Sequence, residues 1–229
     1  AERQATYSTG FFFVEKSNGV NLRLVFDTRV ANMSFSAPPS TRLPTPSAWS
    51  ALEADRDFHV AQGDIQCAFY HMKLPPHLHR YVSLPVVPNR YLGFKRLNGV
   101  NIGTNSFLQP FVSVMPMGWS WALHFCQSAL TTAIRDSGID DDAMLVDGAA
   151  VPPLRQDSDV IGAGYVDNFA TVSLDPDVAT AACQAMRDVL VSRGLPVDEF
   201  APAAKRVVFT GLDILGDVGI VRCKIDRLC

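Results

Sequence analysis

Two segments with hairpin periodicity, set on either side of a long helical one, constrain this chain more than any other feature. Phe11 to Val14 and Leu22 to Phe26 read as paired strands, with Ser17-Asn18-Gly19 as the turn; Asn-Gly is a strong hairpin signal. Val160 to Tyr165 and Phe169 to Leu174 read as the arms of a second hairpin, with Asp167-Asn168 at its tip. Between them the period changes at Trp121, where Ala122, Cys126, Leu130 and Ile134 recur at i, i+4 steps, the spacing of a helix that buries one face. A second helix is predicted from Asp175, as N-cap before Pro176, through Val178, Ala182, Met186 and Leu190, until Gly194 and Pro196 stop it. Hairpins and helices in this alternation imply an α+β domain built around an antiparallel sheet.

The remaining segments fit around that frame. Pro38, Pro39, Pro44 and Pro46 mark an extended connector, after which Ser47 is expected to cap a short helix through Leu52. His59 to Ile65 reads as a strand carrying Asp64 near its end. Tyr81 to Val114 is β-rich, with strands expected at Tyr91 to Phe94 and Phe111 to Val114. Asp136 to Asp159 is acidic and interrupted by Gly138 and Pro152-Pro153, and reads as a loop or insertion. Arg206 to Ile214 and Gly219 to Cys223 read as closing strands.

Composition narrows the class. With 229 residues, 48% hydrophobic and 19% charged, the chain suits one sizeable domain or two small lobes rather than a disordered tract. No apolar run approaches the roughly 18–20 residues of a membrane span, and the start Ala1-Glu2-Arg3-Gln4 lacks a secretory pattern. The missing initial Met reads as a fragment. Five cysteines (67, 126, 183, 223 and 229) are scattered without a C-x-x-C pair, which argues for a reducing, intracellular setting and against a zinc site. The net charge of −3 counts mildly against nucleic-acid binding, although local basic clusters can still serve.

Alone, Asp64 is an acid at a strand end and Asp167 an acid in a tight turn, where Asp and Asn are ordinary. Together, a strand ending in one carboxylate and a hairpin tipped by the other could be neighbours in one sheet. Such a pair could hold Mg²⁺, which takes one or two protein carboxylates and completes its octahedron with water and phosphate. Two such ions about 3.5–4 Å apart activate a 3′-hydroxyl and stabilise a departing pyrophosphate.

The motifs carry a more specific likeness. Gly63-Asp64-Ile65-Gln66-Cys67-Ala68-Phe69-Tyr70, Met115-Pro116-Met117-Gly118-Trp119 and Tyr165-Val166-Asp167-Asn168 resemble motifs A, B and C of retroelement reverse transcriptases, in order and approximate spacing. Phe12 to Lys16 with Leu22 to Arg29 resembles the fingers hairpin of that family. Gly194-Leu195, Lys205 and Phe209-Thr210-Gly211-Leu212 resemble motifs D and E, so the likeness runs from about Phe11 to Ile214.

The resemblance implies a right-hand polymerase fold of fingers and palm, with an antiparallel palm sheet packed on helices and the thumb absent or incomplete. Residues 1–58 and 81–107 would be fingers-like, and 59–80 and 108–229 palm-like with an insertion near 136–159. It implies RNA-directed DNA synthesis with Mg²⁺ or Mn²⁺, dNTPs and an RNA or DNA template with its primer, with thumb and RNase H parts on other sequence. Asp64 and Asp167 would be the metal carboxylates and the Ile65 carbonyl a further ligand. Lys16 and Arg23 would hold the triphosphate, as a point charge and as a fork. Phe69 would be the gate that collides with a ribose 2′-hydroxyl. Gly118 would let the backbone approach the nucleotide. Tyr165 would pack near the primer terminus, and Lys205 would protonate the leaving pyrophosphate. Each also has a plain reading: solvated charges for Lys16, Arg23 and Lys205, and core or strand aromatics for Phe69 and Tyr165.

Two positions depart from the family. Met117 stands where many retroviral-type enzymes have Gln, and a thioether cannot make that residue's hydrogen bonds. Asn168 replaces the second aspartate of motif C, so the site has one carboxylate fewer. The competing readings are a catalytically impaired remnant, which keeps at most nucleic-acid binding, and an unrelated α+β domain with Asp64 and Asp167 far apart.

Overall fold

The computed structural model describes residues 8–15 and 19–224. It divides into two compact units, Ala1–Pro38 with Phe69–Ala122 and Pro39–Ala68 with Leu123–Cys229. In chain order the described elements begin with β1 (Gly10–Glu15), β2 (Leu22–Asp27), α1 (Arg29–Asn32), α2 (Pro46–Ser50), β3 (His59–Ile65) and α3 (Ala68–His71). Short pieces follow: β4 (Val87–Pro88), α4 (Asn89–Leu92), β5 (Arg96–Leu97), β6 (Val100–Asn101) and β7 (Phe107–Leu108). The remainder comprises α5 (Ala122–Asp136), β8 (Ile161–Tyr165), β9 (Asn168–Ser173), α6 (Pro176–Ser192), β10 (Val197–Ala204), β11 (Arg206–Phe209), β12 (Leu212–Leu215) and β13 (Ile220–Cys223).

In the first unit β1 and β2 pair antiparallel from Gly10↔Asp27 to Glu15↔Leu22. Lys16, with Ser17 and Asn18 of the expected turn, lies outside the described residues. The hairpin's Phe26 joins Leu74, Val82, Val112, Met115 and Trp119 in one buried cluster. Two expected strands are corrected here. Residues 89–92 form a helical turn, because Pro88 precedes it and Gly93 ends it with φ +71. Phe111 and Val114 make only isolated bridges, to Ser83 and Lys73, because this stretch runs as an irregular cover over the cluster rather than as a ladder.

The second unit is organised by a four-stranded antiparallel sheet, in the order β10-β3-β9-β8. Helices α5 and α6 pack on one face. Glycines at 162 and 164 make room for α5, since a Cβ at Gly164 would fall 2.8 Å from Ile134 and 2.9 Å from Leu130. Helix α6 begins as expected, with the Asp175 carboxylate accepting from the backbone N–H groups of Asp177 and Val178. Val60, Ile161, Ala163, Ala170 and Val172 face the other way, into a core with Trp49, Phe209, Leu212 and Ile214. The last three come from the three-stranded sheet β11-β12-β13.

Two further expectations change. Thr45 caps α2 rather than Ser47, because Pro46 takes the first helical position and the Thr45 hydroxyl accepts from the Ala48 N–H. Arg206 to Ile214 is two strands, broken by a turn at Thr210 and Gly211, which have φ +49 and +90. The segment 136–159 is mostly irregular after the end of α5, and it anchors Leu145 and Leu154 in the second unit's core.

Candidate active site

The hairpin β8–β9 turns through two residues, Val166 and Asp167, and only the first has positive φ, at +60. That backbone shape normally calls for glycine at the first position. A β-branched residue there is strained by about 1–3 kcal/mol and persists only when its surroundings hold it. Helix α5 supplies the hold. The buried amide of Gln127 accepts from the Val166 N–H (2.7 Å) and donates to the Gly164 carbonyl (2.8 Å). The Cys126 thiol donates to the Val166 carbonyl at 3.3 Å. The tip is therefore a fixed object. Sequence reasoning missed Gln127; the available signal was a polar residue next to a buried stripe position.

Asp167 is fastened from the other side as well. The Ile65 N–H donates to its carbonyl at 2.8 Å, which ties the turn to the end of β3. Ladder register then sets Asp64 opposite Asn168 on one side and Glu199 on the other. Directly opposed residues share a face, so Glu199, Asp64 and Asn168 stand in a row across three strands. Alternation puts that row on the face of Val60, opposite to the helices. A register shift between Val197 and Glu199, the mark of a β-bulge, adjusts β10 at this point. Sequence reasoning missed β10 because Asp198, Glu199 and Pro202 are poor strand residues; Pro is tolerated since β10 is an edge.

Glycine at 63 completes the local packing. Its register partner is the fully buried Phe169, whose Cζ would lie 2.4 Å from a Cβ at position 63. The Gly-Asp pair of the motif thus has a steric origin: the ring covers Gly63 while Asp64 points to the opposite face.

The electrostatics follow from this geometry. Burial raises the Asp64 pKa to about 6, and the negative charges of Asp167, Glu199 and Asp198 push in the same direction. Asn168 is neutral, and its amide donates to Asp167 Oδ1 at 2.9 Å. An aspartate there could not make that bond and would add repulsion. The donor set suits a hard cation: carboxylates of Asp64 and Asp167 at adjoining backbone positions, the nearby carbonyl of Ile65, and repulsion that a divalent ion would relieve. Among the described residues no three His, Cys, Asp or Glu side chains are arranged to hold an ion by themselves. A cation here would rest on two carboxylates and oxygens from water or phosphate.

The other expected residues are placed as follows. Tyr165 ends β8 with its side chain partly exposed, paired with Asn168. Lys205 is not brought to Asp64. It follows β10 at the far end of β3, about 16 Å along the strand, and pairs with Asp57 at 2.9 Å. The expected role in protonating pyrophosphate has no support in that placement, and the physical reason is the antiparallel run of β10. Phe69, in α3, packs half-buried against the first unit's cluster. Gly118 has φ +110, and a Cβ there would meet the Phe26 carbonyl at 3.0 Å and the Thr28 hydroxyl at 3.1 Å. Asn32 clasps this turn, donating to the Gly118 carbonyl and accepting from the Ser120 N–H. Met117 beside it is half-buried, and Arg23 on β2 is exposed. Lys16 lies outside the described residues.

No protein-family model matches the chain. No curated protein matches it either. Among solved structures it resembles a foamy viral protease–reverse transcriptase determined in complex with double-stranded DNA, with a TM-score of 0.63 at 12% identity. The likeness covers 94% of this chain and 31% of that one. At that identity the comparison speaks to architecture: the chain has a mixed α/β fold with antiparallel sheets, similar to part of a reverse transcriptase.

Proposed function

We propose that the chain performs template-directed DNA synthesis, copying RNA by nucleotidyl transfer from dNTPs to a primer 3′-hydroxyl. The observation that carries this reading is the fastening of Asp167 to Ile65 beside the Asp64–Asn168 pair, which sets two carboxylates at one end of an antiparallel sheet. Asp64 and Asp167 hold Mg²⁺ or Mn²⁺, with the Ile65 carbonyl as a further ligand. Bound metal supplies Lewis acidity for the 3′-hydroxyl and counter-charge for pyrophosphate. Asn168 orients Asp167 through its amide and contributes no charge of its own.

By the resemblance, Arg23 and Lys16 grip the triphosphate, and Phe69 excludes a ribose 2′-hydroxyl. Met117, Gly118 and Tyr165 line the nucleotide and primer. Template recognition is by backbone and shape, since a polymerase accepts every sequence. A retroelement origin follows from the same likeness, and an intracellular setting from the scattered cysteines. Among the described residues no helix is long and apolar enough to cross a membrane.

Primer extension on an RNA template tests this. Product should require Mg²⁺ or Mn²⁺, should vanish in Asp64→Asn, and should contain deoxynucleotides in preference to ribonucleotides, with Phe69→Ala relaxing the preference. A second reading, a domain that binds template without turnover, is favoured by Asn168 alone. It expects no extension by the natural chain even with template–primer bound.

A further inference from the structure

The chain carries a net charge of −3, yet no Asp or Glu occurs anywhere from Ile65 to Arg135. Within that acid-free stretch, Phe69–Ala122 belongs to the first unit and holds Lys73, Arg80, Arg90, Lys95 and Arg96. Three of these cations lie in residues 87–108, interleaved with aromatic rings that the fold leaves in solvent. Tyr91 is 70% exposed, Phe94 52% and Phe107 71%. Burial would stabilise each ring by about 1.5–3 kcal/mol, so three on one short segment call for an explanation.

This segment is built rather than loose. Asn89, 2% exposed, is its hub. Its side-chain amide donates to the carbonyls of Phe94 (2.7 Å) and Gly103 (3.0 Å) and accepts from the Phe94 N–H (3.1 Å). Its backbone N–H donates to the Ser106 carbonyl at 2.7 Å. Pairing of Pro88 with Phe107 and of Arg96 with Asn101 fixes the strands on either side. The Arg90 guanidinium lies over the Tyr91 ring, 5.0 Å from its centre.

We propose that residues 87–108 form a platform for single-stranded nucleic acid, with Arg90, Lys95 and Arg96 taking backbone phosphates and Tyr91, Phe94 and Phe107 stacking on unpaired bases. The occupant follows from the chemistry. Cations without a neighbouring acid in sequence complement a polyanion, and exposed rings complement bases that are not already stacked in a duplex. The recognition is sequence-tolerant, because every base has a π-face. The inference does not require the chain to polymerise.

Fluorescence anisotropy of the whole chain with a labelled oligo(U) of about 16 nucleotides, in EDTA and without dNTPs, tests it. Arg90→Gln/Lys95→Gln/Arg96→Gln should flatten the log–log salt dependence by about 2, since each single-strand phosphate contact contributes about 0.7. Tyr91→Ala/Phe94→Ala/Phe107→Ala should weaken binding about ten-fold or more at every salt concentration while leaving the slope unchanged. All six side chains are exposed, and a thermal melt matching the natural chain confirms that each variant folds. Unchanged slope and affinity in both folded variants would overturn the platform and leave a protein partner as its occupant. Equal affinity for a duplex of the same length would overturn the stacking half. Failure of primer extension with these binding effects intact counts against the polymerase reading and not against the platform.

Discussion

Asp64 is the residue whose chemistry is most exposed to test. Its pKa is raised to about 6 in the folded chain, so the fold prefers the neutral acid. The unfolded chain releases that proton at a lower pH, near 3.9 for an ordinary aspartate. Stability should therefore fall as pH rises from about 4 to 6 and then level. Asp64→Asn removes this component, so the difference in unfolding free energy between variant and natural chain should grow across that window, as read by denaturant titration. Added Mg²⁺ at pH 7 should raise the melting temperature of the natural chain and not of the variant. Asn168 makes a second case. Asn168→Asp exchanges the bond to Asp167 for repulsion, so it should lower the melting temperature in EDTA and recover it in Mg²⁺. Gln127→Ala leaves the Val166 N–H and the Gly164 carbonyl buried without partners, and should cost about 2–4 kcal/mol on unfolding.

At the scale of elements, the site is made by how strands and helices abut. Gly63 exists to admit Phe169 from β9, so Gly63→Ala should destabilise by about 1–3 kcal/mol and Phe169→Leu in the same chain should restore part of the loss. A double-mutant cycle reads this directly. These elements were unevenly legible in the sequence. Apolar recurrence marked α5 and α6, because each buries one face, while the Asn18-Gly19 turn signal marked the first hairpin, whose β1 is exposed along its length. β10 was hidden, because an edge strand with Asp198, Glu199 and Pro202 owes its place to pairing with β3 and not to its own propensity. Its loss from the sequence reading also hid Glu199 and misdirected Lys205, whose position is set by the direction in which β10 runs. α4 was misread as strand because Tyr91 and Leu92 suit either state, while Pro88 and Gly93 decided for a turn of helix.

At the scale of the whole molecule, motif order carried the fold further than motif chemistry carried the function. Three motif segments and a hairpin in order pointed to an antiparallel architecture like a reverse transcriptase, and the likeness to a solved one over 94% of the chain agrees. Asp64 and Asp167 were legible as neighbours because a strand end and a hairpin tip adjoin naturally in one sheet. The strain at Val166 and the acids on β10 depend on contacts between distant segments, and no local pattern announces them. The most direct measurement is extension of a DNA primer on an RNA template by the natural chain and by Asp64→Asn, with template–primer binding measured in parallel. The account expects Mg²⁺- or Mn²⁺-dependent extension by the natural chain and none by the variant at equal binding. Undiminished extension by Asp64→Asn, or none by the natural chain with template–primer bound, would contradict it.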